Sequence, residues 1–162
     1  MKKYTLSLFI IHCSLFIFSC TDPNTIFKQH TDIEDGNWFL KYEPTFEFEI
    51  KDTTQSYTVY YLIRNGTAYP YYNLYIKQFL TDDKNKAVNE ALNELKVMDE
   101  TTGKPLGDGM GDLFDHKIVA LKNYRFPHAG KYKFKIRQYM RQDPLPQILS
   151  VGISIEKTVS IN

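Results

Sequence analysis

A long run of strictly alternating side chains in the C-terminal third most constrains the fold of this chain. One side of the pattern is polar only at Gln138 and otherwise contains Tyr132, Phe134, Ile136 and Met140. The other side is cationic and contains Lys131, Lys133, Lys135, Arg137 and Arg141. Successive side chains of a β-strand point to opposite faces of the sheet. The pattern therefore predicts a strand with one buried face and one solvated face.

A turn and a second alternating run follow. Pro144 and Pro146 cannot donate hydrogen bonds to a strand ladder, so the first strand must end before them, and we expect them to set a rigid sheet corner. Beyond this corner, apolar residues alternate with small or polar ones from Leu149 to Ile155. This second run predicts another half-buried strand.

Earlier segments show the same periodicity. Strands are predicted over residues 44–52, 56–64 and 73–80, and the second of these is predicted to be central because apolar residues occupy both of its faces. Asn65-Gly66 predicts a turn after it. The apolar residues of segment 87–99 fit a helix as well as a strand, so we predict a strand for its second half and leave residues 87–94 open.

The remaining internal segments are less regular. The glycine-rich segment 103–115 predicts a long loop, and residues 116–122 predict a short strand or a helical turn. Six or seven strands with no convincing long helix predict an all-β fold. The expected architecture is an antiparallel β-sandwich, either immunoglobulin-like or jelly-roll.

The N-terminal residues predict a targeting sequence and a lipid anchor. Two lysines precede an apolar run over residues 5–19, which is typical of a secretory signal peptide. The run ends at Ile17-Phe18-Ser19-Cys20, which resembles a bacterial lipobox; the alternative is an ordinary signal peptide with an incidental cysteine. We expect residues 1–19 to be the signal peptide, residues 20–43 a lipidated N-terminus and tether, and residues 44–162 a single sandwich domain. Acyl chains on Cys20 would anchor the chain to a membrane.

Composition excludes several classes of chemistry. The only cysteines are Cys13 and Cys20, so a processed and lipidated chain retains no thiol and no disulfide. The formal net charge is +1, which gives no basic excess for binding nucleic acid. We find no hydrolase, metalloprotease or phosphate-loop motif, and so we predict no catalytic residues and no cofactor.

Two groups of residues contain side chains that commonly bind metal ions, but neither has the spacing of a metal site. The histidines of the processed chain have no partner histidine at ligand spacing; they are His30, His116 and His128. Three aspartates lie in the glycine-rich segment, but their spacing does not follow the calcium-loop pattern. They are Asp108, Asp112 and Asp115. We predict no metal site.

Tyrosine is concentrated between residues 57 and 75. Most of these rings are expected to fill the sheets. Tyr69, Tyr71 and Tyr72, however, lie beside Pro70 at a bend between two predicted strands, where we expect them to be partly exposed. Tyrosine is enriched where proteins bind one another, because its ring is large, rigid and amphipathic. These three tyrosines are therefore the predicted partner-binding residues.

Several short motifs together resemble one known family. They are Cys20 in the lipobox, Ile63-Arg64, Tyr69-Pro70, Asn73-Leu74, the Gly107–Asp112 loop, Arg125-Phe126-Pro127, Met140-Arg141, Asp143-Pro144-Leu145-Pro146 and Val151-Gly152. In this order they resemble the gliding motility lipoprotein GldH family of Bacteroidota. The resemblance implies a membrane-anchored accessory protein of the gliding apparatus that works alongside type IX secretion. It implies no catalytic residues.

Two functions are compatible with these observations. The first is a non-catalytic lipoprotein that contacts other envelope proteins of the gliding and secretion apparatus. The alternative is a periplasmic or surface module that binds a glycan or a peptide through Tyr69, Tyr71 and Tyr72. Because Thr21 and not Asp follows Cys20, we expect an anchor in the outer membrane with the domain facing the periplasm.

Overall fold

The structure is a computed structural model that describes residues 22–158. In chain order its strands are β1 (Thr25–Asp32), β2 (Asn37–Trp38), β3 (Thr45–Ile50), β4 (Tyr57–Gly66), β5 (Asn73–Asp82), β6 (Ala87–Lys96), β7 (Asp108–Met110), β8 (Leu113–Tyr124), β9 (Gly130–Gln138), β10 (Leu145–Pro146) and β11 (Ile148–Lys157). One turn of 3₁₀ helix, Glu34–Gly36, lies between β1 and β2. No other helix occurs within these residues.

The strands form two antiparallel sheets that enclose one core. The first sheet has the order β1-β11-β4-β8-β7 and the second has the order β3-β9-β5-β6, while β2 and β10 pair separately. The eight long strands pair in a nested series: β1 with β11, β3 with β9, β4 with β8, and β5 with β6. This nested pairing arises when one long hairpin is rolled into two sheets, and it defines the jelly roll. The predicted β-sandwich is confirmed, and the strand order selects the jelly roll over the immunoglobulin-like alternative.

The alternating run that predicted a strand forms β9. Tyr132, Phe134 and Ile136 are fully buried, and Gln138 is buried with them. The cationic face of β9 lies beside acidic residues, since Lys133 pairs with Glu47 of β3 at 3.4 Å. The opposite charges of neighbouring strands therefore keep this sheet surface solvated and nearly neutral.

The boundary predicted at residue 44 is wrong. Residues 25–32, expected to be part of a tether, form β1 and pair along β11. Further along, Trp38 is completely buried and its indole Nε1 donates to the Tyr42 carbonyl oxygen at 2.9 Å. The apolar residues in this segment are sparse, which is typical of an edge strand with one solvated side as well as of a tether. The predicted signal peptide and Cys20 lie outside the described residues.

Several local predictions also change. Asn65-Gly66 is not a turn, because both residues belong to β4 and pair with Phe114 and Leu113. Residues 87–94, left open between helix and strand, are part of strand β6. The predicted loop over residues 103–115 contains β7 and the start of β8, and residues 116–122 continue β8. Met140 does not extend β9, which ends at Gln138.

The sandwich has two ends with different charges. At the end called here the terminal pole, the described chain begins at Asp22 and finishes at Thr158, whereas the opposite end is called the distal pole. In the distal connecting segments 33–44, 67–72, 97–112 and 139–147, acids outnumber bases eight to three. The acids are Glu34, Asp35, Glu43, Asp99, Glu100, Asp108, Asp112 and Asp143, and the bases are Lys41, Lys104 and Arg141. The distal pole is therefore acidic.

Candidate functional site

The bend predicted to bind partners lies at the distal pole between β4 and β5. Tyr72 is 41% exposed, as expected. Tyr69 is buried instead, and its hydroxyl donates to the Asn73 carbonyl oxygen at 2.8 Å. Tyr71 is half-buried with its ring edge-on to Tyr69, at 5.8 Å between centroids. The prediction of an exposed ring is thus wrong for Tyr69, whose hydroxyl is used inside the fold.

Tyr71 does line a surface pocket, but with residues from other elements. The pocket has a volume of about 590 Å³. Its walls are Tyr71, Tyr75, Leu92, Tyr139, Met140 and Arg141. Leu92 and Tyr139 are 52% and 54% exposed, which makes them two of the most solvent-exposed large apolar side chains in the described chain. We call this group of six residues the tyrosine pocket.

The backbone at the end of β9 holds the pocket in shape. The Tyr139 N–H donates to the Tyr75 carbonyl oxygen at 2.8 Å, and the Tyr75 N–H donates to Met140 Sδ at 3.3 Å. The buried Gln138 accepts a hydrogen bond from the Met140 N–H at 2.7 Å through Oε1. The polar exception in the apolar face of β9 therefore anchors the turn that carries Tyr139 and Met140.

Gln142 joins this turn to the tyrosine bend. Gln138 Nε2 donates to the Gln142 carbonyl oxygen at 3.2 Å, and the Tyr71 hydroxyl donates to Gln142 Oε1 at 2.8 Å. Burial and the nearby carboxylate of Glu94 raise the pKa of Tyr75, which further favours its neutral hydroxyl. The pocket is thus aromatic and largely apolar, with one guanidinium at its rim.

Of the six pocket residues, only Tyr71 was among the residues predicted to bind a partner. Tyr75 points to the same outward side of β5 as Lys77. An aromatic residue on this outward side was the one feature of the sequence that could have indicated a surface site. Leu92 became recognisable only once residues 87–94 were known to be a strand, because its outward position depends on period 2. Tyr139 lies one residue past β9, where its position depends on how the chain leaves the sheet.

Of the aspartates and histidines that could bind a metal, Asp115, His116 and His128 make other side-chain contacts. Asp115 pairs with Arg64, with 2.7 Å between Oδ1 and Nε. His116 is buried and its Nε2 lies 2.7 Å from Asn65 Oδ1. His128 stacks on Tyr132, and His30 is exposed on β1. Within residues 22–158, no cluster of three metal-ligating side chains occurs.

The same described part of the chain contains no helix of the length and apolarity needed to cross a lipid bilayer.

Comparison with known proteins identifies the family. The GldH lipoprotein family model matches residues 25–155, from the first residue of β1 to near the end of β11.

Two relatives align along nearly their whole length. A Christiangramia forsetii protein described as a gliding motility lipoprotein GldH homolog is 30% identical over an alignment of 159 residues. The alignment covers 94% of this chain and 96% of that protein. The gliding motility lipoprotein GldH of Flavobacterium johnsoniae is 24% identical over 155 residues, covering 91% and 94%.

Among solved structures, infectious bursal disease virus VP2 in a subviral particle aligns with 81% of this chain and 30% of its own. The identity is 13% and the TM-score is 0.36, a likeness too distant to support an argument. The family match and the two relatives, in contrast, cover nearly all of the described strands. This chain belongs to the gliding motility lipoprotein GldH family.

Proposed function

We propose that this chain is a non-catalytic lipoprotein, anchored through acylated Cys20, that serves the gliding motility and type IX secretion-associated envelope machinery through protein contacts. Family membership and the lipobox support this proposal. The anchor lies in the outer membrane and the sandwich faces the periplasm. Thr21 in place of Asp after Cys20 supports that location.

The observation that carries the proposal is the position of the tyrosine pocket. It lies at the distal pole, whereas the described chain begins at the terminal pole, two residues after Cys20. Strands of ten residues, such as β4 and β5, span roughly 30 Å between the poles. A lipid on Cys20 therefore leaves the pocket well away from the bilayer and accessible to another protein.

The chemistry of the distal pole defines the kind of partner. Exposed Tyr139 and Leu92 favour an apolar anchor residue on the partner, since buried aromatic contacts at the centre of an interface supply much of its affinity. The acidic connecting segments around the pocket favour a cationic rim on the partner surface. The partner is therefore an envelope protein with an apolar centre surrounded by Lys or Arg.

A glycan or peptide ligand is the second candidate, because Tyr71, Tyr75 and Tyr139 present three aromatic rings to one pocket. Leu92 and Met140 favour a protein partner over a sugar. A sugar site requires several convergent polar groups to fix the orientation of the hydroxyls. In this pocket Arg141 and the tyrosine hydroxyls are the polar groups within the described residues.

Crosslinking and affinity purification from detergent-solubilised envelopes test the proposal. We expect wild-type protein to recover an envelope partner, and the double variant Leu92→Ala/Tyr139→Ala to recover at least tenfold less, as loss of a central apolar contact predicts. Val119→Ala, on an exposed position of β8, is the matched control and should recover as much as wild type. Recovery of the chain only as a free monomer contradicts the proposal, and glycan-array binding that depends on Tyr139 supports the second candidate.

The anchor is tested separately by labelling cells with radioactive palmitate. We expect label in the wild-type protein and none in Cys20→Ala, which should also leave the membrane fraction. A Cys20→Ala protein that stays labelled and anchored contradicts lipidation at this residue.

A further inference from the structure

A second cleft lies at the terminal pole, on the opposite end of the sandwich from the tyrosine pocket. Its volume is about 780 Å³. Polar and charged side chains line the cleft. Three of the charged side chains are basic: Lys122, Arg125 and Lys157. The proposed function uses none of these residues.

The cleft carries an excess of positive charge. Of its two carboxylates, that of Glu156 pairs with Lys117 at 2.6 Å, and Asp22 Oδ1 accepts the Asn24 N–H at 2.9 Å. Hydrogen bonds from Thr54 lower the pKa of the nearby Asp52, and the positive charge of Lys157 lowers it slightly further. Within residues 22–158, Lys122 and Arg125 form no ion pair.

Neighbouring connecting segments at this pole add one net positive charge. The β3–β4 connection contains Lys51 and Asp52, and the β5–β6 turn contains Asp83, Lys84 and Lys86. The connecting segments of the distal pole carry an acidic excess instead. The basic cleft therefore lies on the side where the chain leads back to Cys20.

Chain length places this cleft close to the anchoring residue. Asp22 lines the cleft and follows Cys20 by two residues, which span at most about 7 Å of extended chain. If Cys20 carries acyl chains, as the proposed function holds, the lipid head groups lie within reach of the cleft. Each basic side chain near an anionic bilayer surface contributes a favourable interaction.

We propose that the cleft formed by Lys122, Arg125 and Lys157 binds the phosphate head groups of anionic phospholipids in the anchoring membrane. The inference rests on the proposed lipid anchor. Head-group binding docks the terminal pole on the bilayer and holds the acidic distal pole, with its tyrosine pocket, directed away from the surface. An acyl chain alone would leave the sandwich free to tumble about its attachment point.

Vesicle cosedimentation of the unlipidated chain, residues 21–162, tests the cleft independently of the anchor. This chain contains the entire described sandwich. Vesicles of two parts phosphatidylcholine to one part phosphatidylglycerol are compared with vesicles of phosphatidylcholine alone. We expect binding to the first at low ionic strength, little binding to the second, and loss of binding in high salt because the interaction is electrostatic.

Two charge-matched triple variants locate the binding surface. Lys122→Gln/Arg125→Gln/Lys157→Gln should weaken binding about fivefold per cation, or roughly 100-fold in total. Lys41→Gln/Lys104→Gln/Arg141→Gln removes the same charge from the distal pole and should change binding less than about threefold. Emission from Trp38 confirms that each variant is folded.

Failure of this inference is distinguishable from failure of the proposed function. The inference is overturned if the wild-type chain does not bind vesicles that contain phosphatidylglycerol. It is also overturned if the two triple variants lose vesicle binding equally. Binding that is equally strong with phosphatidylcholine alone overturns it as well. None of these outcomes depends on whether Cys20 is acylated, which the palmitate experiment decides.

Discussion

His116 is a buried histidine in the sheet that contains β4 and β8. It lies on β8 opposite Ile63, it is 5% exposed, and its side chain bonds to Asn65. Burial lowers the pKa of His116, and the negative charges of Asp115 and Asp108 oppose that shift without cancelling it. The folded protein therefore favours the neutral imidazole.

This environment makes the folded state sensitive to mild acid. An unfolded histidine titrates near pH 6.5, above the lowered pKa of the folded state, so the unfolded chain binds more protons as the pH falls below about 6.5. We expect the free energy of unfolding to decrease between about pH 7 and pH 5 for this reason. Carboxylates with lowered pKa values, such as Asp115 and Glu43, add their losses only at still lower pH.

Urea denaturation across that pH range measures the effect. The variant His116→Gln should flatten the pH dependence, because glutamine can still donate to Asn65 without titrating. His30→Gln, which replaces an exposed histidine on β1, is the matched control. An unchanged slope in His116→Gln would show that another group is responsible.

Individual residues were predictable where they obey the strand period. The inward phase of β3 and β9 is buried as the sequence indicated. Tyr69 was not predictable, because its burial depends on a hydrogen bond to Asn73 across a bend that local periodicity does not describe. The tyrosine pocket likewise combines residues from β5, β6 and the segment after β9, which are distant in sequence.

At the scale of elements, the backbones of β1 and β11 lie unusually close together at Gly152. A β-carbon added to Gly152 would lie 2.4 Å from the Gln29 carbonyl oxygen and 2.7 Å from His30 Cα. These are backbone atoms of the paired strand, which cannot move aside as a flexible side chain can. Glycine at this position therefore lets the first and last long strands pair.

Gly152→Ala should accordingly separate β1 from the sheet. We expect a loss of about 1–3 kcal/mol in the free energy of unfolding, as for other overpacked sites. Amide exchange should accelerate in β1 more than in β4, because the new contact falls on β1 alone.

Gly103→Ala is the control for this substitution. Gly103 has open space around it and a φ of +67°, so its replacement adds backbone strain of about 1 kcal/mol without overpacking a strand pair. Wild-type protection of β1 amides in Gly152→Ala would contradict the role assigned to this glycine.

The β6 element shows why one apolar pattern can fit two structures. Residues 87–94 have good helix formers, and their apolar spacing fits a helical face. Pairing with β5 along its whole length instead makes them a strand, since an edge strand needs only one partner and a partly apolar face. Tertiary context overrides weak local propensity here.

At the scale of the whole molecule, the N-terminal segment is part of the sandwich. Trp38 is the only tryptophan of the chain and it is completely buried beneath the pairing of β2 with β10. Its fluorescence therefore measures the folding of the segment that was predicted to be a tether.

Unfolding of the unlipidated chain, residues 21–162, should be a single transition. We expect tryptophan emission and far-ultraviolet circular dichroism to change at the same urea midpoint, as a two-state domain requires. A tether with only local structure would lose its tryptophan environment at lower urea. Separate midpoints would thus contradict the inclusion of residues 25–43 in the cooperative unit.

The sequence by itself determined the class of fold, most of the long strands, the buried face of β9 and the family, because period-2 patterns and short motifs are local properties. Tertiary structure alone decided the jelly-roll order, the inclusion of β1, the burial of Tyr69 and the assembly of the tyrosine pocket. These features arise from pairings between residues up to about 130 positions apart, such as Thr25 with Glu156. Periodicity shows which side of a strand is buried, but it does not identify the strand that lies beside it.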